Sequence, residues 1–457
     1  MNWIEWKKNN NTLSKYTHFD KRTSICKCFN YIINPDNISK HSFYPFIYYE
    51  QEIRKFSRKN YLKYKQGIKE KPKPKTRPIC YSSHIDKCIY KYYSALLNLS
   101  YNSYSKENNI DNCVLAYITN KDKKNNNNIY FAKNAFDFIK KSDCNIIVGD
   151  FSNFFDNLEH NYLKKCIKEV LNVNTLSNDW YAIFKNITKY SYWRLEDLLE
   201  LNNMKYNFND IKEFNKLDIA LSRSKFKALK KKYIIPNKKK YGIPQGSAIS
   251  GVLSNVYMIN FDKSINTYIS SLNGLYLRYS DDFIIIFPKN NNINDVRSYI
   301  NKQLETIPNL KLQEEKTQIY TFCNNTIKNC TNLYYINIKE NSNKIDYLGF
   351  VFDGKKVTFR DKTISKYYTK MYRKLNHIIR CQGKSRLGKK ISCRNLYIDY
   401  TQKGIKHVRN PKYPNSKGNF LTYVNRAKKI FGNDYLITTS TNRHLLKIRR
   451  KRQKFGI

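Results

Sequence analysis

Acid is scarce in this sequence. Its 457 residues carry 36 Asp and Glu against 84 Lys and Arg, a formal net charge of +48. Charge of one sign on that scale repels itself in a compact chain. It points to a polyanionic partner, with nucleic acid ahead of an anionic membrane. Long apolar runs are missing too. No stretch approaches the ~18 consecutive apolar residues of a membrane helix, so no membrane partner is expected. The N-terminal "MNWIEWKKNNN" has no apolar core of a secretory signal. Clustered cysteine is also absent. The 11 cysteines are odd in number and scattered, which argues against a disulfide framework and for buried thiols in a reducing cytoplasm. Cys26-x-Cys28 and Cys323…Cys330 lack the second half of a zinc site.

What is present reads as a globular protein. Apolar residues make up 41% and aromatics 15%, and the length allows two to four domain-sized units. There is no internal repeat. Residues 1–70 read as mixed helical, and 69–79 ("KEKPKPKTRPI") as a basic, Pro-punctuated connector into a strand. The apolar spacing in 83–101 and 157–172 predicts helices. "CNIIVGDF" (144–151) predicts a buried strand ending on Asp150. After the helix at 157–172 come about 70 polar, Lys-rich residues without a single period. Residues 241–261 read as a Gly-Pro turn running into a helix, with Ile249, Val252, Leu253, Val256 and Tyr257 on one face. Residues 311–320, 332–339 and 345–352 look like strands, and the basic last hundred residues look mostly helical, as in 419–431. Strands and helices interleave without a repeating βα unit. This predicts an α+β fold, not a doubly wound sheet.

"GLYLRYSDDFIIIFP" (274–288) sets Asp281 and Asp282 inside a core-like strand pattern. Ionised carboxylates are costly to bury without compensation. Neighbouring residues on a strand face opposite ways, so only a tight turn would bring the pair together. A site would need a further carboxylate, and Asp150 is the best candidate. Adjacent strands would hold Asp150 and Asp281 a few ångströms apart. Like charges that close need a cation between them or a proton on one. Hard oxygen ligands select Mg²⁺ or Mn²⁺. Two such ions about 4 Å apart form the phosphoryl-transfer clamp of polymerases and nucleases. Taken singly, "SDD" also suits a surface turn and Asp150 a helix cap. The combination carries the reading.

Three segments occur in order: "DFSNFFDNLEH" (150–160), "GIPQGSAISGVLSNVYM" (242–258) and "YSDD" (279–282). They resemble motifs A, B and C of reverse transcriptases. The likeness extends to "KTRPICYSSHIDKCIYKYYSALL" (75–97), a fingers segment; "LKLQEEKT" (310–317), motif D; and "DYLGFVF" (346–352), a primer grip. The resemblance implies a right-hand polymerase: fingers, a palm with an antiparallel sheet and a catalytic hairpin, and a helical thumb. The expected boundaries are 1–144 for the N-terminal region and fingers and 145–355 for the palm, with a Lys-rich insertion at about 173–240. Residues 356–457 would form a basic thumb and RNA-binding region.

The resemblance also implies roles. Asp150 and Asp281 would be the main ligands of two Mg²⁺ ions (Mn²⁺ is an alternative), with Asp282 a third carboxylate and Phe151 lending its carbonyl. Lys75 and Arg77 would contact the incoming triphosphate, as suits cationic groups on phosphate. Phe155 would exclude a ribose 2′-hydroxyl and so prefer deoxynucleotides. Gln245 and Gly246 would shape the base-pair pocket, where glycine allows close backbone approach. Lys316 would protonate departing pyrophosphate.

The chain runs about 175 residues past "YSDD", room for a thumb and not for an integrase or RNase H. Motif B has Ala248 and Gly251 where intron and retron enzymes usually carry prolines, and Ser280 replaces the usual Ala in motif C. The motifs look most like bacterial abortive-infection and defence-associated reverse transcriptases. That implies a cytoplasmic enzyme copying a dedicated non-coding RNA into DNA from dNTPs, with a homo-oligomer or a second defence protein as compatible partners. The alternatives are template-independent or protein-primed DNA synthesis on the same palm, and a retron or intron-type enzyme.

Overall fold

In a computed structural model the chain is described over residues 2–53, 75–118, 127–335, 342–384, 388, 394–408, 418–432 and 444–454. Parts of the basic connector 69–79, of the expected strand 332–339 and of the basic stretch 380–390 lie outside these residues. The strands, in chain order, are β1 (Phe46–Ile53), β2 (Lys75–Tyr81), β3 (Cys144–Asp150), β4 (Ser191–Arg194), β5 (Ile235–Pro236), β6 (Leu275–Tyr279), β7 (Asp282–Pro288), β8 (Gln318–Cys323), β9 (Thr326–Asn329), β10 (Ile345–Tyr347), β11 (Phe350–Phe352) and β12 (Val357–Phe359). The fold is α+β, as the sequence pattern predicts. Among the described residues no helix is long and apolar enough to cross a membrane. Cys80, Cys88, Cys113, Cys144, Cys166 and Cys330 are buried free thiols.

The chain divides into two compact units. One comprises Met1–Asn120, Phe151–Ile265 and Tyr299–Lys311; the other comprises Lys121–Asp150, Asn266–Ser298 and Leu312–Ile457. The first holds a four-stranded sheet in the order β2-β1-β4-β5. Its long helix, His84–Glu107, starts at Ser83, whose side chain accepts from the Asp86 amide, and it buries Cys88, Ile89, Tyr93 and Leu97. The Lys-rich stretch 173–240 forms four short helices, Asn178–Thr188, Leu195–Glu200, Phe208–Phe214 and Arg223–Tyr233, besides β4 and β5. Its scattered apolar residues converge in space: Trp193, Leu198, Leu199, Phe214 and Leu221 share one core with Phe19 and Ile47. That convergence is tertiary, which is why no single period appears in the sequence.

The second unit is built on a five-stranded antiparallel sheet in the order β6-β7-β3-β8-β9. β3 is central, flanked by β7 and β8, and all its residues but Val148 are buried; Phe283 to Phe287 of β7 are all buried too. Burying each such side chain stabilises by about 1.5–3 kcal/mol. A second sheet, β10-β11-β12, precedes the helix Asp361–Arg380. That helix buries Tyr367, Met371, Leu375 and Ile378, one face at a spacing of three to four.

Local readings differ in a few places. Residues 345–352 are a hairpin rather than one strand, because Leu348 and Gly349 turn the chain at φ +47° and +95°. Thr331–Leu333 is a 3₁₀ turn where a strand is expected. In 311–320 the strand starts only at Gln318, after a 3₁₀ turn at Glu314–Lys316. The mixed-helical N-terminal stretch also contains β1.

Candidate active site

β6 and β7 pair as far as Tyr279 and Asp282, so Ser280 and Asp281 form a two-residue loop. Ser280 holds φ +60°, a conformation non-glycine residues seldom adopt. Its carbonyl accepts a 2.9 Å hydrogen bond from Nη1 of Arg278. Arg278 is fully buried, with 0% exposure. A buried guanidinium in a core strand therefore braces the turn. This is the tight turn that two adjacent carboxylates require.

Asp150 ends β3, and the β3–β7 register sets it directly across from Asp282. The expected partner, Asp281, lies in the adjoining loop. Burial raises the pKa of Asp281, and the charge of Asp150 adds to the effect. Asp282 is pushed up to about 6, first by desolvation and then by Asp281 and Asp150. Three carboxylates thus share one electrostatic site. One step back, Gly149 pairs with Phe283. A Cβ on Gly149 would lie 2.4 Å from the Phe283 ring, so glycine is required for the two strands to close.

Motif D reaches the same place. The Gln313 amide donates to the Asp150 carbonyl at 2.8 Å. Lys316, in the following turn, forms an ion pair with Oδ2 of Asp150. Oδ1 of Asp150 is buried without a hydrogen-bond partner. An orphaned carboxylate oxygen beside two more carboxylates is a set of hard oxygen donors. It fits a divalent cation such as Mg²⁺. Among the described residues no group of three His, Cys, Asp or Glu side chains is already converged as a metal cage; the Lys316 ammonium holds the compensating charge on Asp150.

The other candidate residues lie in the first unit. Phe155 is half-buried in the 3₁₀ turn Phe154–Asp156, while Phe154 is core. The Phe155 carbonyl accepts from the Ile243 amide at 3.0 Å, which fastens motif A to motif B. The Gln245 carbonyl accepts from the Cys80 amide on β2 at 2.7 Å. Gly246 holds φ +111°, and a Cβ there would lie 2.6 Å from the Cys80 carbonyl oxygen. Glycine at 246 thus lets this segment lie close against the β2 backbone. Lys75 and Arg77 are exposed on β2 and, two residues apart, share one side of the strand. Phe151, joined to Asp150 by the chain, buries its ring against Phe154 and Phe261.

Residues 68–352, well over half of the chain, match the family model described as reverse transcriptase (RNA-dependent DNA polymerase). The chain belongs to this family. No curated protein matches the sequence significantly. Solved structures similar to this reverse transcriptase include telomerases. Apo telomerase from Candida tropicalis truncated from the C-terminal domain is 15% identical at TM-score 0.37, covering 61% of this chain and 52% of that one. Apo telomerase from Candida tropicalis is 15% identical at TM-score 0.39, covering 92% and 74%. Telomerase from Candida albicans in complex with a TWJ fragment of telomeric RNA is 12% identical at TM-score 0.38, covering 99% and 60%. The chain spans about half the length of the first of these.

Three residues of the reverse transcriptase's acidic site escape sequence reasoning. Arg278 leaves a signal, an arginine inside an apolar strand. Tyr347 and Arg360 leave none, because they arrive from far downstream. Tyr347 is buried with an unpartnered hydroxyl, and its pKa is raised by burial and then by the charge of Asp282. Arg360 pairs with Asp346, and its charge partly offsets the rise at Asp282.

Proposed function

We propose that this reverse transcriptase copies a dedicated non-coding RNA into DNA from deoxynucleotides, in the cytoplasm of a bacterium and as part of anti-phage defence. The polymerase part rests above all on one observation: Asp150 and Asp282 face each other across the β3–β7 ladder with Asp281 in the adjoining turn. Asp150, Asp281 and Asp282, with the Phe151 carbonyl, would hold Mg²⁺ or Mn²⁺. Such ions, when bound, stabilise the charge that develops on the transferring phosphoryl group. The chain's own residues do the rest. Lys75 and Arg77 would bind the triphosphate through charge-assisted hydrogen bonds. Gln245 and Gly246 would bound the base-pair pocket. Phe155 would stand under C2′ and exclude ribose. Lys316 would protonate departing pyrophosphate.

Fingers (within 1–144), palm (145–355, with the insertion at 173–240) and thumb (356–457) are the corresponding divisions. On the thumb helix, Lys362, Lys366, Lys370, Arg373, His377 and Arg380 are exposed. At 100° per residue they fall within one stripe, which suits the backbone of a template–product duplex. The defence role rests on the subgroup likeness of motifs B and C and not on any residue's chemistry.

The test is incorporation. The protein is purified with its bound nucleic acid and given each labelled dNTP or NTP with Mg²⁺, and both RNA and product are sequenced. Deoxynucleotide incorporation complementary to the bound RNA is expected, and Asp281→Asn should abolish it. Product unrelated to the RNA would favour untemplated synthesis, and synthesis surviving Asp281→Asn would sink the site assignment. For the defence role, phage plating on cells carrying wild type or Asp281→Asn should differ; equal plating refutes it.

A further inference from the structure

The helix Arg223–Tyr233 has no part in the chemistry above, yet its charge is one-sided. Its sequence, RSKFKALKKKY, holds six basic residues and no acid. Phe226, Leu229 and Tyr233 dock it on the core around Trp193. Both ends are tied down. Ser222 Oγ caps the first turn by accepting from the Lys225 amide, and β5 beyond the last turn pairs with β4. The remaining surface is therefore rigid, about 16 Å long at 1.5 Å per residue. Arg223, Lys227, Lys230 and Lys231 follow one another along one side of it and are exposed. Among the described residues, none of the four pairs with a carboxylate.

The basic helix His444–Lys454 is different. There Lys447 lies 3.8 Å over the Tyr368 ring, Lys451 4.9 Å over Tyr372 and Arg452 6.0 Å over Tyr397. Those cations are engaged by the protein itself. On Arg223–Tyr233, among the described residues, only Lys232 lies over a ring, that of Tyr233.

The kind of polyanion follows from what this face lacks. A membrane-surface helix inserts its apolar side, and here that side is packed in the core. A single-strand platform stacks bases on aromatic rings, and both rings of this helix, Phe226 and Tyr233, belong to the core packing. What remains is a row of point charges suited to phosphates of fixed spacing, as a base-paired segment presents them. We propose that the outward face of Arg223–Tyr233 docks a base-paired segment of RNA, apart from the strand being copied. RNA is favoured over duplex DNA because, on the reading above, RNA is the nucleic acid bound before synthesis begins; the inference rests on that reading. None of the proposed active-site residues belongs to the helix or its core cluster.

The test uses the full chain with Arg223, Lys227, Lys230 and Lys231 changed to Gln, and a second variant with Lys230→Gln and Lys231→Gln alone in case four changes disturb folding. Binding is measured against a blunt hairpin RNA, the same duplex in DNA, unpaired RNA, and vesicles rich in phosphatidylserine. The hairpin RNA should lose at least about tenfold in affinity with the fourfold variant, and the salt slope should fall by about 3 to 4. Extension on a short unstructured template should be unchanged. Unaltered hairpin binding by both variants overturns the proposal. An equal loss on duplex DNA, unpaired RNA or vesicles overturns the assignment to paired RNA. Loss of short-template extension with hairpin binding intact also overturns it, by placing the helix in the catalytic path. Failure of wild type to extend any template, with the hairpin effect intact, would instead count against the polymerase reading alone.

Discussion

On the proposed reading, the single ring of Phe155 would carry a choice between two sugars. Its neighbour Phe154 is core, whereas Phe155 is half-buried and its carbonyl is fastened to Ile243, so the ring is held without being consumed by packing. Phe155→Ala should raise ribonucleotide incorporation by about 10- to 100-fold relative to deoxynucleotide, read from single-nucleotide kcat/KM; an unchanged ratio refutes the gate. His18 carries a prediction of another kind. Burial, with His84 adding, lowers its pKa to about 3, so it is neutral when folded and charged when unfolded in acid. A lowered folded pKa contributes stability that is present above about 6.5 and lost as pH falls toward 3. The loss reaches on the order of 3 kcal/mol by pH 4. His18→Asn should therefore show a smaller drop in Tm than wild type between pH 7 and pH 4.5; equal drops refute the claim. At this scale the sequence is legible where a residue breaks its local pattern. Asp281 and Asp282 do so in an apolar run. Tyr347 and Arg360 sit in ordinary surroundings and meet the acidic site only through the tertiary fold.

Among elements, the β3–β7 pair does the most positioning. Strands rich in Ile and Phe announce themselves, but their register does not, and register is what sets Asp282 rather than Asp281 opposite Asp150. The hairpin at 345–352 is hidden for a related reason: the apolar pattern runs on through it, and only the positive φ of Leu348 and Gly349 breaks the strand. Gly149 tests the pairing directly. Gly149→Ala drives a methyl into the Phe283 ring and should cost roughly 1–3 kcal/mol, with a loss of polymerisation because the hairpin is displaced. Phe283→Leu in the same chain should restore part of both. Melting curves and primer extension read the pair; a Gly149→Ala variant that melts and extends like wild type would show that the strands are not closed as described.

On the whole molecule the dominant quantity is the charge of +48. The described ion pairs are few and mostly exposed, as with Lys289–Asp143 and Lys216–Glu213, and such pairs contribute little. The excess is therefore balanced by ions or by a polyanion. Salt should then act with opposite signs on the free protein and on its complex. For the free chain, raising salt shortens the Debye length from about 30 Å at 0.01 M to about 3 Å at 1 M, which relieves self-repulsion, so Tm should rise. For the complex, salt competes with phosphate contacts and the observed affinity falls steeply, so the extra Tm conferred by bound RNA should shrink over the same range. Thermal melts across a salt series, with and without RNA, give both slopes. A free protein whose Tm falls with salt would mean that its positive charges are already neutralised within the fold, and the nucleic-acid reading of the charge would fail with it.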